Sequence, residues 1–273
     1  MVNFLSLEHN SGPGAARQYG IEHTSSPYFM FIDAGDCIAS KSTFKRAVKG
    51  IASHSQAYVL CYNWWNEESH SYFRKDTTLL FAKFFNREFT ELYHLRFNSS
   101  PECSYSNEDR GFMAPCKLVL QHIASYDKNN RLCYNNNVLC KRMLDKDSIT
   151  QANNGAFYWY KHIPGLAHNA KHIVQVCRDN NLHWKYPMRL ITYYLVYLYE
   201  CYLSCAKNHP DNLEDNLLAL RYFYKNVYKQ FKLINQKVLE HDYQRAIPSL
   251  LKLTSDLYPR ININRFIGEI KDD

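Results

Sequence analysis

The chain has 273 residues with 33 Lys+Arg against 26 Asp+Glu, a net charge of +7 with histidine neutral; 46% of residues are hydrophobic, and there are only nine glycines and nine prolines. This excludes collagen-like, low-complexity and wholly disordered chains and leaves a folded globular protein with length enough to bury a core. The basic excess, with a pI near 8.8, permits an anionic partner such as a nucleotide, a polyanionic glycan or nucleic acid, but stays below the pI above about 9 that marks nucleic-acid modules.

In chain order, Val2 to Leu7 reads as a strand, and Ala15 to His23 as a helix after the turn Ser11-Gly12-Pro13-Gly14. Tyr28 to Ile32 reads as a fully buried strand that stops at Asp33, and Ala57 to Trp64 as a further strand rich in β-favouring side chains. A polar loop, Asn98 to Ser106, precedes a helix from Phe112 through Leu118, Val119 and His122. Alternating strands and amphipathic stretches predict an α/β fold, a mixed sheet flanked by helices, over residues 1–150. From about Gln151 the pattern turns helical, so 151–273 reads as a helical C-terminal appendage. There Leu190 to Ala206 reads as a buried helix, shorter than the roughly 20 residues that span hydrocarbon; its tyrosines also suit a helix resting on a membrane surface. Pro210, Asp211, Glu214 and Asp215 form the first turn of a long amphipathic helix carrying Leu213, Leu217, Leu220, Tyr224, Val227, Phe231, Ile234 and Val238.

The nine cysteines are scattered singly, without a CxxC pair, and read as reduced thiols. Cys201, Cys205 and His209 repeat every four residues, the spacing of a helical metal site or of a packed thiol face. No basic, apolar leader follows Met1, so the expected compartment is the cytoplasm.

Two acidic pairs can carry chemistry. Asp33-Ala34-Gly35-Asp36 lies at the carboxyl end of a strand, where open α/β sheets bind ligands; two carboxylates separated by small residues suit Mg²⁺ or Mn²⁺ with a phosphate, or simply a capped polar turn. Glu108-Asp109 opens a helix, either as N-terminal capping or as a general base.

Taken together, five segments resemble the motifs of family 2 glycosyltransferases with the GT-A fold. Asn10-Ser11-Gly12-Pro13-Gly14-Ala15-Ala16-Arg17-Gln18-Tyr19-Gly20 resembles the "N-x-G-x-x-x-ARN-x-G" helix, and Tyr28 to Asp36 the "Y-i-x-F-l-D-x-D-D" strand. Phe81-Ala82-Lys83-Phe84-Phe85-Asn86-Arg87-Glu88-Phe89 with Leu95-Arg96-Phe97 resembles "G-K-l-F-k-R-e-f" and "i-r-F". Asn107-Glu108-Asp109-Arg110-Gly111-Phe112 resembles "ED-x-x-F", and Arg131 to Thr150 the closing "lY-x-Y-r-x-r-x-x-S-i-t". The resemblance implies that Asp33 and Asp36 flank a nucleotide-sugar diphosphate, with Asp36 the principal ligand of a divalent cation because Gly35 stands where the family has an acid. Arg17 then complements phosphate charge, Gln18 replaces the family's Asn, Asp109 is the catalytic base and Glu108 its steering neighbour. His162 is a candidate histidine for the metal shell.

The implied reaction is a metal-assisted inverting displacement onto a hydroxyl of a surface glycan or polysaccharide. Two alternatives stay open: sugar transfer to modified DNA bases, for which the basic residues are spread without a cluster, and an inactive GT-A remnant that binds a partner. Family members open with a further βαβ unit bearing the base and ribose pocket, ending in an acidic turn. The expectation is that a truncated GT-A core leaves this half to an upstream segment, a second polypeptide or a homo-oligomer, with an exposed sheet edge favouring association.

Overall fold

The structure, a computed structural model, describes residues 4–75, 79–104, 107–129, 131–143, 159–182, 194, 198, 202, 205, 207 and 210–228. The chain divides into two compact units, Met1–Phe97 with Phe112–Phe157, and Asn98–Gly111 with Tyr158–Asp273. The loop ahead of the ED pair thus belongs to the same unit as the helical part of the chain.

The first unit runs α1 (Gly12–Glu22), β1 (Tyr28–Phe29), β2 (Cys37–Ile38), α2 (Lys41–Ser53), β3 (Val59–Asn66), β4 (Ser71–Phe73), β5 (Lys83–Asn86) and α3 (Arg87–Leu92), then α4 (Glu108–Ile123), whose first turn belongs to the second unit, and β6 (Leu132–Arg142). Among the described residues the sheet order is β1-β5-β3-β6-β2, with β4 also on β3; β3 and β6 are parallel and the other pairs antiparallel. β3 is the centre of this mixed sheet, and Val59 to Trp64 are all buried, as a strand covered on both faces must be. A register shift between β3 and β6 at Tyr62 to Trp64 is stitched by Asn63, whose side-chain amide donates to the Asn136 carbonyl at 2.8 Å. Ser40 caps α2 by accepting from the Thr43 N–H, and the Tyr62 hydroxyl donates to the Ala47 carbonyl, pinning α2 to the sheet.

Several boundaries differ from the sequence reading. Among the described residues, Phe4 to Leu7 form no strand: Phe4 is 94% exposed and no neighbouring strand takes up their backbone. The strand expected over Tyr28 to Ile32 pairs only at Tyr28 and Phe29 and is half-buried, and Ile32 is exposed ahead of Asp33. Helix α1 starts three residues before Ala15, since Pro13 is at home in a first turn. Helix α4 starts at Glu108, so the acids lie inside its first turn, and β3 runs two residues beyond Trp64 into the β3–β4 hairpin.

In the second unit, α5 (Trp159–Asp179) buries Ile163, Leu166, Ala167, Ala170, Ile173, Val174 and Cys177 on one helical face. It packs against α6 (Leu213–Phe223), which buries Asn216, Ala219, Leu220 and Phe223. Pro210 and Asp211 belong to a separate 3-10 turn, Pro210–Asn212, and after Phe223 the helix widens into a π turn, Tyr224–Tyr228, so the long regular helix is interrupted; its residues beyond 228 lie outside the described ones. Of the segment Leu190 to Ala206, Tyr194, Leu198 and Cys205 are described and buried. Cys201 and His209 lie outside the described residues, and the Cys205 sulfur accepts from the Asn216 amide at 2.8 Å, a packing role. No helix among the described residues is long and apolar enough to cross a membrane.

Candidate active site

Two groups of candidate residues are described, one in each unit. In the first, the Asn10 side chain accepts from the Gly12 N–H at 3.1 Å and opens α1. One turn later Arg17 donates through its guanidinium to Asp33 Oδ1 at 2.6 Å. Asp33 begins a tight turn in which the Asp36 N–H donates to the Asp33 carbonyl at 3.1 Å and Gly35 adopts φ +93°, the third position of a type II turn. Asp36 Oδ1 in turn accepts from the Met143 N–H at 3.0 Å, just past β6. The turn is therefore tied at one end to α1 and at the other to the end of β6. Gly35 stands where the related motif has an acid because this turn needs a left-handed residue there, a conformation that costs any side-chain-bearing residue energy.

This donor set suits a divalent cation of one kind. Mg²⁺ is commonly held by one or two carboxylates plus substrate phosphates. Asp33 and Asp36 supply two carboxylates, and among the described residues no group of three or more His, Cys, Asp or Glu is placed to hold a metal by protein alone. The residues fit a cation shared with a diphosphate.

Neighbouring motif residues build the frame of this turn. Gln18 accepts from the Phe97 N–H at 3.1 Å and donates to Glu22 at 2.8 Å, so the residue replacing Asn ties α1 to the Leu95-Arg96-Phe97 segment. Arg87 donates to the Ser26 and Ile21 carbonyls and to the Thr24 hydroxyl, clamping the connection from α1 to β1. Phe31, just before Asp33, meets Phe85, Phe97 and Phe112 at ring distances of 5.5 to 6.2 Å, and Phe97 stacks on Phe112 at 4.5 Å. Phe31, Phe85, Phe97 and Phe112 form one packed cluster.

In the second unit Glu108 and Asp109 occupy the first turn of α4, where the helix dipole favours negative charge. Asp109 Oδ1 accepts from the Arg110 N–H at 2.7 Å. Asn107, at φ +68°, accepts on its carbonyl from the Gly111 N–H (3.0 Å) and from the Asn169 amide (2.8 Å). The Asn107 amide nitrogen lies 3.1 Å from His162 Nδ1. Asn169 is buried against Gly111 so closely that a Cβ there would lie 2.8 Å from its Cγ.

His162 is 4% exposed, and burial, reinforced by the Arg110 charge, lowers its pKa to about 4. It is a neutral ring beside a cation and belongs to no group of metal-ligating residues among those described. His162 thus meets the ED turn through Asn107. The polar loop before it is likewise anchored on α5. The Ser100 hydroxyl and Glu102 carboxylate lie 3.2 and 3.3 Å from His168 Nδ1, and the Cys103 thiol, pushed up to about 11 by burial, donates to the Gly165 carbonyl and Asn169.

Arg17, Asp33 and Asp36 thus come together in the first unit, and Glu108 and Asp109 stand together in the second. The sequence reading overlooked a basic row on α2, Lys41, Lys45, Arg46 and Lys49, although no acid occurs between Asp36 and Glu67. It also missed the β3–β4 hairpin, which pairs Trp65 with Tyr72. Its turn has no glycine and is closed by His70 at φ +46°, so the usual hairpin signal is absent.

Residues 1–110 match the family model described as "Glycosyl transferase family 2". A teichoic acid poly(glycerol phosphate) polymerase of Staphylococcus epidermidis is 46% identical over 39 residues, which are 14% of this chain and 5% of that protein. The crystal structure of S. aureus TarS 1–349 superposes with a TM-score of 0.54 at 17% identity, covering 84% of this chain and 64% of that one. A second S. aureus TarS structure gives 0.42 at 16% identity, covering 83% of this chain and 43% of that one. The chain spans less than two thirds of each of these proteins. The likeness to TarS 1–349 is one of fold, a mixed sheet flanked by helices.

Proposed function

We propose, from the match of residues 1–110 to the glycosyl transferase family 2 model, that the chain moves a sugar from a nucleotide-diphosphate donor to a hydroxyl of a glycan. The observation that carries this reading is the Asp33–Asp36 turn, held between Arg17 and the end of β6. Two carboxylates and a guanidinium at the end of a strand segment make a mixed-charge site of the kind that binds a diphosphate together with a cation.

In the proposed reaction Asp33 and Asp36 orient the donor diphosphate, and Arg17 exchanges part of its pairing with Asp33 for a phosphate oxygen. Asp36 and Asp33 would hold Mg²⁺ or Mn²⁺, which would supply charge neutralisation for the departing diphosphate. Asp109 accepts the proton of the acceptor hydroxyl as that oxygen forms a bond to the anomeric carbon; the bond from that carbon to the phosphate oxygen breaks, and the configuration inverts. Glu108 steers the acceptor.

The acceptor we propose is a surface polysaccharide of the polyol-phosphate kind. The net charge of +7 and the printed name of the S. epidermidis relative support a polyanionic acceptor. The proposed compartment is the cytoplasm or its membrane surface, in keeping with cysteines scattered singly along the chain. The test is release of nucleoside diphosphate from a panel of nucleotide sugars with Mn²⁺. Release that depends on a poly(glycerol phosphate) or poly(ribitol phosphate) acceptor is the expected result; its absence with every donor and acceptor contradicts the proposal.

A further inference from the structure

Across three strands of the first unit the register sets Tyr72 opposite Trp65 and Trp65 opposite Lys141. With Thr43 and Arg46 of α2 and Asn137 of β6, these side chains line a cleft of about 330 Å³. Tyr72 is 59% exposed and meets the Trp65 ring edge to face, centroids 4.5 Å apart at 61°. Glu67 takes a hydrogen bond from the Trp65 indole and lies 3.4 Å from Lys141 Nζ; the indole contact first, and then the lysine, hold its carboxyl below the ordinary range. Arg46 is braced by donating to the Thr43 hydroxyl at 3.1 Å, and it stands in the basic row of α2.

None of these residues has a part in the donor turn or the ED pair. Their chemistry is mixed in a particular way. Arg46 and Lys141 suit phosphate oxygens, Asn137 suits hydroxyl groups, and the Tyr72 ring offers an apolar face to C–H groups. Such a lining matches a chain that alternates phosphodiesters with polyol or sugar units. It matches single-stranded nucleic acid poorly, because rings inclined at 61° do not present the parallel faces on which successive bases stack. The cleft also adjoins the donor turn. Lys141 lies opposite Cys37, the residue after Asp36, and Met143, two residues beyond Lys141, donates to Asp36.

We propose that this cleft is an accessory site that grips a phosphate-bearing glycan polymer and feeds it along the end of β6 toward the donor turn. It rests on the transfer reading for the identity of the polymer. The experiment is calorimetric titration of the full chain at fixed ionic strength with poly(glycerol phosphate), and in parallel with neutral dextran, single-stranded DNA of equal charge and phosphatidylglycerol vesicles. Poly(glycerol phosphate) is expected to bind most tightly, and Arg46→Gln and Tyr72→Ala each to weaken it about tenfold, the loss of one charge-assisted contact or one ring face. Lys49→Gln, on the same helix but outside the cleft, is expected to weaken it less than about twofold.

The proposal is overturned if the polymer does not bind, if Arg46→Gln and Tyr72→Ala bind as wild type, if Lys49→Gln weakens binding as much as Arg46→Gln, or if DNA or vesicles bind as tightly and lose affinity in the same variants. Sugar transfer to a monomeric polyol-phosphate acceptor is followed separately. Its failure with polymer binding intact counts against the transfer reading alone, and transfer without polymer binding counts against the cleft alone.

Discussion

Arg17 of α1 and Asp33 form an ion pair at 2.6 Å, with the arginine side chain 15% exposed and the aspartate 60% exposed. A pair this open to solvent contributes little to stability, on the order of 0.2–1 kcal/mol. Its value lies in holding a guanidinium beside a carboxylate turn. Arg17→Lys keeps the charge but loses the planar fork, so the expected outcome is a melting temperature within a few degrees of wild type and affinity for a nucleoside diphosphate reduced about tenfold, read by calorimetry with Mn²⁺ present. Unchanged affinity would remove Arg17 from the donor site.

Gly35 supplies the φ of +93° on which the Asp33–Asp36 turn depends, although a Cβ there would meet no neighbouring atom within 4 Å. The obstacle to substitution is therefore backbone strain alone. Gly35→Ala is expected to cost about 1 kcal/mol in urea unfolding, and Gly35→Asn less, because Asn tolerates the left-handed region. Equal stability of all three proteins would show that the turn does not hold this conformation in solution.

Much of the first unit was legible in the sequence, for identifiable reasons. The continuous apolar run of β3 and the Gly-Pro opening of α1 are local signals that packing reinforces. Asp33, Asp36 and Arg17 could be picked out by motif, but their ion pair and the Met143 contact join residues distant in sequence. One expectation fails among the described residues: Val2 to Leu7 has strand composition, yet the described part, Phe4 to Leu7, forms no strand pairing. The burial of His162 against Asn107 and Arg110 joins residues distant in sequence and carries no local signal.

The ED turn is held from behind by Asn169, which is fully buried and fills the space beside Gly111. Gly111→Ala forces this amide off its hydrogen bond to the Asn107 carbonyl, leaving a buried polar group unsatisfied, at an expected cost of about 1–3 kcal/mol. Asn169→Ala costs a similar amount by losing the same bond. The double variant is expected to be less destabilised than the sum of the two, because the smaller side chain makes room for the new methyl. Strict additivity in urea unfolding would contradict this coupling.

His162 links the second unit to pH. Its folded pKa of about 4 lies below the usual 6.5, so between these values the unfolded chain binds the extra proton and folding loses free energy as pH falls. The contribution is fully present above about pH 6.5 and gone below about pH 4. His162→Gln, which keeps an acceptor for the Asn107 amide, is expected to flatten the fall in stability over this window relative to wild type. Identical pH profiles for the two proteins would contradict a neutral, buried imidazole.

The role proposed for Asp109, in the first turn of α4, is to take the acceptor proton during sugar transfer. Single-turnover transfer from a nucleotide sugar, compared between wild type and Asp109→Asn with donor affinity measured on the same samples, tests it most directly. The expected result is a loss of about 10²-fold or more in the transfer rate, the scale of general-base catalysis, with donor affinity within about twofold of wild type. Transfer at the wild-type rate in Asp109→Asn would contradict it.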